Sequence, residues 1–225
     1  MPSLPAALAA RADQWFGRPT TVTSIVDLSP GLRRVTFHTP TVDVDACVPG
    51  AEIEFRVDDR NFRHYTPIPV SDTTYDVVFA RAADGPGTAW AHGLRNGDTA
   101  NLLGPTRGVP RAPRELLLGD ATTISLFAAM LADRTEAVGA VEVPAADRDA
   151  AAALLPGLDV LTAGPEPGTA LAAWLAVAAH RPHDRAVLAG HARSVQDLRK
   201  VLREAGPPRS AITTKAYWAT GKRGL

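Results

Sequence analysis

Residues 63–67, Arg-His-Tyr-Thr-Pro, combine the side chains best suited to chemistry in this chain. The planar guanidinium of Arg63 can pair with a phosphate. The flat ring of Tyr65 can lie against a planar heterocycle, and Thr66 can hydrogen-bond a ring nitrogen beside the chain. Pro67 removes a strand donor, so the segment predicts a sheet edge or a bulge. The residue types indicate a nucleotide-like ligand, but an ordinary edge strand with a solvent-facing arginine explains them equally well.

A second segment, residues 84–90, reads DGPGTAW and leads directly into a predicted helix at 88–94. Backbone N–H groups and the helix dipole at such a start attract a phosphate. The alternative is a simple turn in which Thr88 caps the helix, and the segment alone favours that alternative.

Two kinds of hydrophobic pattern divide the chain. Between residues 20 and 103 apolar and polar residues alternate with period two, as in Val35 and Phe37, which predicts six short strands of an N-terminal antiparallel β-barrel. Residues 104–114, GPTRGVPRAPR, contain three prolines and two glycines and predict an interdomain linker. After it, buried strands alternate with helices at 122–133, 147–154, 169–179 and 194–205, which predicts a C-terminal α/β, Rossmann-like parallel sheet. The predicted domains are therefore residues 1–108 and 115–225.

Charge and cysteine content exclude several classes of function. The 225 residues contain 24 Lys+Arg and 24 Asp+Glu, so no overall basic field favours nucleic acid. The single cysteine, Cys47, permits no internal disulfide, and no apolar run is long enough to span a membrane. No secretory signal is expected, and these features predict a cytoplasmic protein.

The second half lacks a Gly-x-Gly-x-x-Gly motif after its first strand, so a standard dinucleotide site is not supported. A short phosphate loop remains possible at Gly119, Asp120, Thr122 and Thr123, and another after the fourth strand at Gly190 and Ser194. Arg193 and Arg199 could pair with a 2′-phosphate and so favour NADPH, although a solvated helix face explains them somewhat better.

The histidines at positions 180, 183 and 191 do not complete a metal site. Pro182 breaks any helix between His180 and His183, and no nearby carboxylate or cysteine supplies further ligands. We therefore expect no bound metal.

Together the segments resemble the siderophore-interacting proteins, which are FAD-dependent ferric siderophore reductases of the ferredoxin reductase superfamily. The similarity runs in register across nearly the whole chain and includes PGLRRVTF (30–37), RHYT (63–66), GPGTAWA (85–91), NGDTANLLGPTRG (96–108), LLLGDAT (116–122), LAGHARSVQDLRKVLREAG (188–206) and KAYWATGKRG (215–224). The resemblance implies that the barrel holds FAD and that the second domain admits NAD(P)H.

The resemblance also implies roles for single residues. Tyr65 would stack on the isoalloxazine, Thr66 would lie near its reactive nitrogen, and Arg63 would face the pyrophosphate. The backbone of Gly87, Thr88, Ala89 and Trp90 would cradle that pyrophosphate. Tyr217 and Trp218 would cover the outer face of the flavin, beside a cationic rim for an anionic ferric siderophore formed by Lys222, Arg223 and Arg107.

The expected function is therefore NAD(P)H-driven reduction of a ferric siderophore with release of Fe²⁺. Three positions differ from the family pattern: Ile68 replaces an arginine, Ala121 a glutamate and His191 a glutamate. They leave two alternatives, a general flavin reductase or electron-transfer protein, and a protein that has lost redox chemistry and binds a ligand or performs non-redox biosynthesis in the interdomain cleft.

Overall fold

The first domain is a curled antiparallel sheet of seven strands. The computed structural model describes residues 6–40, 47–81, 85–132, 136–178, 182–204 and 208–222. The strands lie in the order β4-β3-β7-β1-β2-β6-β5. The elements of this domain are α1 (Ala6–Phe16), β1 (Arg18–Ser29), β2 (Leu32–His38), β3 (Ile53–Arg56), β4 (Phe62–Tyr65), β5 (Ile68–Ser71), β6 (Thr74–Ala80), α2 (Pro86–Gly93) and β7 (Thr99–Leu103).

The alternation seen in the sequence places one face of each strand inside the curl. Val35 and Phe37 of β2 are fully buried, as are Ile53 and Phe55 of β3. The predicted barrel is confirmed with one more strand than expected, because residues 63–70 form two strands. The chain leaves β4 after Tyr65, and β5 then pairs with β6 on the other edge of the sheet. Pro67, which cannot donate to a ladder, lies at this crossing.

The second domain is a five-stranded parallel sheet in the order β10-β9-β8-β11-β12 with helices on both faces, as the sequence predicts. No helix or strand lies between Leu103 and the start of this sheet at Arg114. The elements are β8 (Arg114–Asp120), α3 (Ile124–Leu131), β9 (Glu136–Val143), α4 (Arg148–Leu154), β10 (Asp159–Thr162), α5 (Thr169–Ala178), β11 (Arg185–His191), α6 (Ala192–Glu204) and β12 (Ile212–Trp218).

The two domains share one apolar core. Leu32 and Val78 of the first domain belong to the same buried cluster as Leu117, Ile124 and Phe127 of the second. Each Å² of apolar surface that this contact removes from water stabilises the packed arrangement by about 25 cal/mol. The relative position of the domains is therefore part of the core packing.

Polar contacts fix the same interface at its edge. The carboxylate of Asp147, just before α4, accepts hydrogen bonds from the Ser29 hydroxyl at 2.7 Å and from the Gly31 N–H at 2.8 Å. The Val78 N–H donates to the Ser125 hydroxyl at 2.8 Å. A side chain on Gly31 would overlap the Asp147 carboxylate, so the turn between β1 and β2 requires glycine there.

Candidate functional site

A cavity of about 390 Å³ lies between the two domains. The first domain contributes residues 62–66, 77–80 and 85–88 to its wall, and the second contributes Thr122, Ser125, residues 215–218 and Lys222. The two segments with the strongest chemical signal, 63–66 and the start of α2, therefore meet in one wall. The size lies within the range of about 300–1,000 Å³ typical of small-molecule sites.

The ring of Tyr65 is held by an aromatic cluster behind it. Its centroid lies 4.8 Å from that of Phe79, in an edge-on arrangement, and 6.1 Å from that of Trp90, nearly parallel. Phe55 completes the cluster, 5.0 Å from Trp90. Burial raises the pKa of Tyr65 well above its ordinary value, and the nearby charge of Arg63 only partly opposes this shift. The phenol therefore stays neutral and presents a fixed planar surface to the cavity.

The start of α2 packs against Arg63 and Tyr65. A Cβ atom on Gly87 would lie 2.8 Å from the Tyr65 hydroxyl oxygen and 3.2 Å from Arg63 Cγ, so a side chain there would displace Tyr65 or Arg63. Gly85, at the N-cap, makes no side-chain capping bond. The helix start and the aliphatic stem of Arg63 thus lie side by side at the cavity wall, and Arg63 Nη1 donates to the Phe62 carbonyl at 2.7 Å. A helix N-terminus next to an arginine is an arrangement suited to a phosphate group.

Tyr217 places an unsatisfied hydroxyl in the opposite wall. Within the described part of the chain, the buried Tyr217 hydroxyl has no hydrogen-bond partner. Burial, and then the charge of Glu52, raise the pKa of Tyr217 above its ordinary value. The Thr66 hydroxyl lies close enough to oppose this shift, but not in hydrogen-bonding geometry. A buried polar group without a partner is costly, so this wall fits a ligand that carries a hydrogen-bonding atom.

Asp120 lies at the carboxyl edge of the parallel sheet. It is the last residue of β8, the central strand, which has β9 on one side and β11 on the other. In many parallel sheets a nucleotide binds at this position. Its Oδ2 accepts hydrogen bonds from His191 N–H and Trp218 Nε1, each at 2.8 Å, and its Oδ1 accepts from the N–H and hydroxyl of Thr122. A Cβ on Gly190, where φ is +109°, would overlap this carboxylate. The point where the strand order reverses is therefore filled by a carboxylate of the protein and does not fit a nucleotide phosphate.

His191 belongs to the same closed network. The Thr220 N–H donates to its Nε2 at 3.3 Å, and its Nδ1 lies 3.1 Å from the Ser194 hydroxyl. Its ring packs on Trp218 with centroids 4.6 Å apart. The histidine that replaces a family glutamate thus holds the C-terminal strand end in place.

Three polar residues of the cavity wall, Glu52, His64 and Lys215, were not found by sequence reasoning. Lys215 Nζ donates to Glu52 Oε1 at 2.9 Å and joins the two domains at the cavity wall. His64 Nε2 lies 3.0 Å from Glu54 Oε1 across the β3–β4 pair. The hydrogen bond from Glu54 raises the pKa of His64, and burial opposes it. Cross-strand alternation could have paired His64 with Glu54, but no local pattern indicates the contact between Lys215 and Glu52.

Taken together, the predicted site residues divide into two groups. Arg63, Tyr65, Thr66, Gly87, Thr88, Thr122, Tyr217, Trp218 and Lys222 line the cavity. Ala89, Trp90, Arg107, Asp120, Thr123, Gly190 and Arg193 do not line it, and Arg223 lies outside the described residues. Thr123 is buried and donates to the Asp120 carbonyl at 2.7 Å, whereas Arg193 is exposed and lies 3.7 Å from Asp197.

Comparison with known proteins agrees with this architecture. The siderophore interacting protein from Acinetobacter baumannii is 19% identical, with a TM-score of 0.76 over 91% of this chain and 91% of that one. A siderophore utilization protein from T. fusca is 22% identical, with a TM-score of 0.76 over 93% and 95%. The FAD/NAD-binding domain of nitric oxide dioxygenase from Vibrio cholerae is 16% identical, with a TM-score of 0.63 over 90% and 99%. No curated protein matches the sequence.

The fold is that of a two-domain protein of ferredoxin reductase-like architecture. The family model of siderophore-interacting proteins matches residues 112–221, which comprise most of the second domain. The resemblance to the siderophore-interacting protein family is thereby confirmed. Among the described residues, no helix is both long and apolar enough to cross a membrane.

Proposed function

We propose that this protein is a flavin-dependent oxidoreductase that reduces a ferric siderophore, with FAD as cofactor and NAD(P)H as reductant. The observation that carries the proposal is the interdomain wall in which a fixed Tyr65 ring, a glycine-started helix and the unpartnered Tyr217 hydroxyl face one cavity. A flavin is a planar heterocycle with hydrogen-bonding ring atoms and a phosphate-bearing tail, and these three features match its three parts. The Gly87 contact with Arg63 and Tyr65 leaves backbone, rather than a side chain, at the phosphate position.

Each wall residue has a positioning role in this proposal. Tyr65 would hold the ring system by stacking, and the buried Thr66 would hydrogen-bond its edge. Arg63 and the N-terminus of α2 would neutralise the phosphates, and Tyr217 would gain the hydrogen-bond partner that it lacks. A bound flavin supplies hydride acceptance and single-electron transfer, and the protein supplies orientation and electrostatics. The side chains at the wall need not move a proton for iron reduction itself.

The proposed substrate is an anionic ferric chelate with hard oxygen ligands. Such ligands prefer small, highly charged Fe³⁺ to Fe²⁺, so reduction weakens the complex and frees the metal. Lys222 lies in the cavity wall and gives it a positive charge, which would attract the chelate. Two proteins of similar fold are named for siderophores, which supports this substrate class. Reduction in the cytoplasm, after uptake of the chelate, is part of the proposal.

The proposed reductant cannot place its phosphates against the carboxylate of Asp120. The first turn of α6, where Arg193 is exposed, offers those phosphates another binding position on the same domain. The FAD/NAD-binding domain of nitric oxide dioxygenase has a similar fold, which supports a nicotinamide nucleotide as the reductant.

Flavin binding to the Tyr65→Ala variant tests the cofactor. Loss of the stacking ring should raise the Kd for FAD about 10- to 100-fold, which corresponds to about 1.4–2.8 kcal/mol. Tyr65→Phe keeps the ring and should retain FAD. Tyr75→Phe, a buried tyrosine that does not line the cavity, is the matched control. Equal FAD content in Tyr65→Ala and wild type would contradict the proposed cofactor site.

Steady-state kinetics of Lys222→Glu test the substrate. The apparent KM for an anionic ferric hydroxamate should rise several-fold, while the KM for a neutral quinone should not change. Lys200→Glu reverses an exposed charge on α6, away from the cavity, and should change neither value. Equal effects of Lys222→Glu on both acceptors would contradict the cationic wall, and reduction of the quinone alone by wild type would indicate a general flavin reductase.

A further inference from the structure

A pair of titratable side chains lies beside the interdomain cavity and takes no part in the proposed flavin contacts. His64 of β4 lines the cavity, whereas Glu54 of β3 does not. The two residues face each other across the β3–β4 pair, with His64 Nε2 3.0 Å from Glu54 Oε1. The imidazole therefore lies between a carboxylate and a cavity, as the histidine of a catalytic carboxylate–histidine pair does.

The second ring nitrogen of His64 is available to a ligand. Nε2 is engaged with Glu54, and Nδ1 forms no hydrogen bond with the residues that the structure describes. An imidazolium held at Nε2 by a carboxylate can donate the proton on Nδ1. The neutral ring that remains keeps its Nε2–H bond to the carboxylate. The pair can thus release one proton without breaking its own contact.

The charges around His64 favour its protonated form. The hydrogen bond from Glu54 is the main cause that raises the pKa of His64, and the charges of Glu54 and Glu52 add to it. Burial and the charge of Lys215, on β12 of the second domain, oppose this rise. Lys215 is paired with Glu52 at 2.9 Å, which weakens its repulsion of the imidazolium. A larger share of the ring is therefore protonated at neutral pH than in an isolated histidine.

Release of iron from an oxygen chelate requires protons as well as an electron. Reduction to Fe²⁺ weakens the iron–oxygen bonds, but each hydroxamate or catecholate oxygen that leaves is an anion and can bind the metal again. Protonation of that oxygen prevents its return. The free oxygen is more basic than imidazole, so an imidazolium beside the chelate can supply this proton.

We infer that His64 is the proton donor for iron release and that Glu54 is its positioning residue. The inference rests on the proposed function, because the electron comes from the reduced cofactor proposed there. In this step Fe³⁺ gains one electron at the expense of that cofactor, and one iron–oxygen bond breaks. The proton on His64 Nδ1 forms an O–H bond with the oxygen that leaves. Neutral His64 then regains a proton from water.

Single-turnover reactions of the full chain, loaded with FAD and reduced anaerobically, test this role with two acceptors. A ferric trihydroxamate must lose its oxygen ligands, and a coloured Fe²⁺ chelator follows the release. Ferricyanide accepts one electron and keeps all its ligands. His64→Gln should slow Fe²⁺ release about 10- to 100-fold, because water replaces part of the roughly 10²- to 10⁴-fold that a positioned acid contributes.

The same variant should reduce ferricyanide at a rate within twofold of wild type. His38→Gln changes a histidine of β2 that does not line the cavity, so it is the matched control and should alter neither rate. A circular dichroism spectrum of each variant matched to wild type ensures that the comparison is made on folded protein.

The pH dependence separates proton donation from a structural role. Only the protonated ring donates, so the ratio of the wild-type rate to the His64→Gln rate should fall as the pH rises through the pKa of His64. Glu54→Gln removes the group that raises this pKa, so the fall should move to lower pH. Ferricyanide reduction should show neither change.

The outcomes distinguish this inference from the proposed function. Equal rates of Fe²⁺ release in wild type and His64→Gln, or an equal loss with both acceptors, would overturn the proton donor and leave the reductase intact. If His64→Gln does not fold, identical pH profiles of wild type and Glu54→Gln would overturn it instead. Failure of wild type to bind FAD, or to reduce either acceptor, would overturn the proposed function and this inference with it.

Discussion

Replacement of Asp120 by asparagine should destabilise the protein strongly, although the change removes one charge and no volume. The carboxylate is 8% exposed and accepts four hydrogen bonds, three of them from N–H donors. An asparagine amide can accept on only one side. If its oxygen faces His191 and Trp218, its NH₂ group faces the N–H of Thr122 and leaves that donor without an acceptor.

The magnitude follows from these contacts. A buried donor without an acceptor costs about 1–3 kcal/mol, and bonds to a charged acceptor lose part of their strength when the charge is removed. A total loss of roughly 2–4 kcal/mol is expected, which lowers the Tm of a chain this long by about 5–15 °C.

Thermal unfolding measured by circular dichroism checks this value. Asp197→Asn is the matched control, because Asp197 is an exposed carboxylate in a single ion pair with Arg193 and should contribute less than about 0.5 kcal/mol. A Tm for Asp120→Asn within 1–2 °C of the control would refute the reasoning that Asp120 is a saturated structural acceptor.

Three further variants test two sets of polar contacts, one beside the cavity and one at the edge of the domain interface. The bond to Glu54 raises the pKa of His64 above its ordinary 6.5, so its stabilisation is complete below pH 6.5 and lost as the pH rises through the raised pKa. The Tm difference between wild type and His64→Gln should therefore be larger at pH 6 than at pH 9, and a difference independent of pH would contradict the ion pair. Asp147→Ala should cost about 2 kcal/mol in urea unfolding because the donors of Ser29 and Gly31 lose their acceptor. Asp147→Asn should cost much less because both donors use the same oxygen, and equal losses in the two variants would argue against these bonds.

Residue types were sufficient to select the part of the cavity wall that lies on one segment. Arg63, Tyr65 and Thr66 lie within four residues of sequence and all line the cavity, although their types indicated a nucleotide-like ligand no more strongly than an ordinary edge strand. The separation of β4 from β5 was not predicted, although Pro67 carried a signal, because a single strand fits the apolar pattern of residues 63–70 as well as two strands do.

Contacts between distant segments were beyond the reach of sequence patterns. Lys215 and Glu52 lie 163 positions apart and meet only because the domains pack in one orientation. Asp120 was predicted to belong to a phosphate loop. Its hydrogen bonds to His191 and Trp218 depend on the spatial order of β8, β11 and β12, which periodicity does not encode.

The shared core has a consequence for the stretch between Leu103 and Arg114. Because Leu32 and Val78 are buried together with Leu117 and Ile124, each half alone would expose a wide apolar surface to water. A protease cut within residues 104–113 should therefore yield two fragments that remain associated as a nicked complex. Neither half is expected to be stable as a separate protein. A fusion or domain-recombined protein would therefore have to contain both halves.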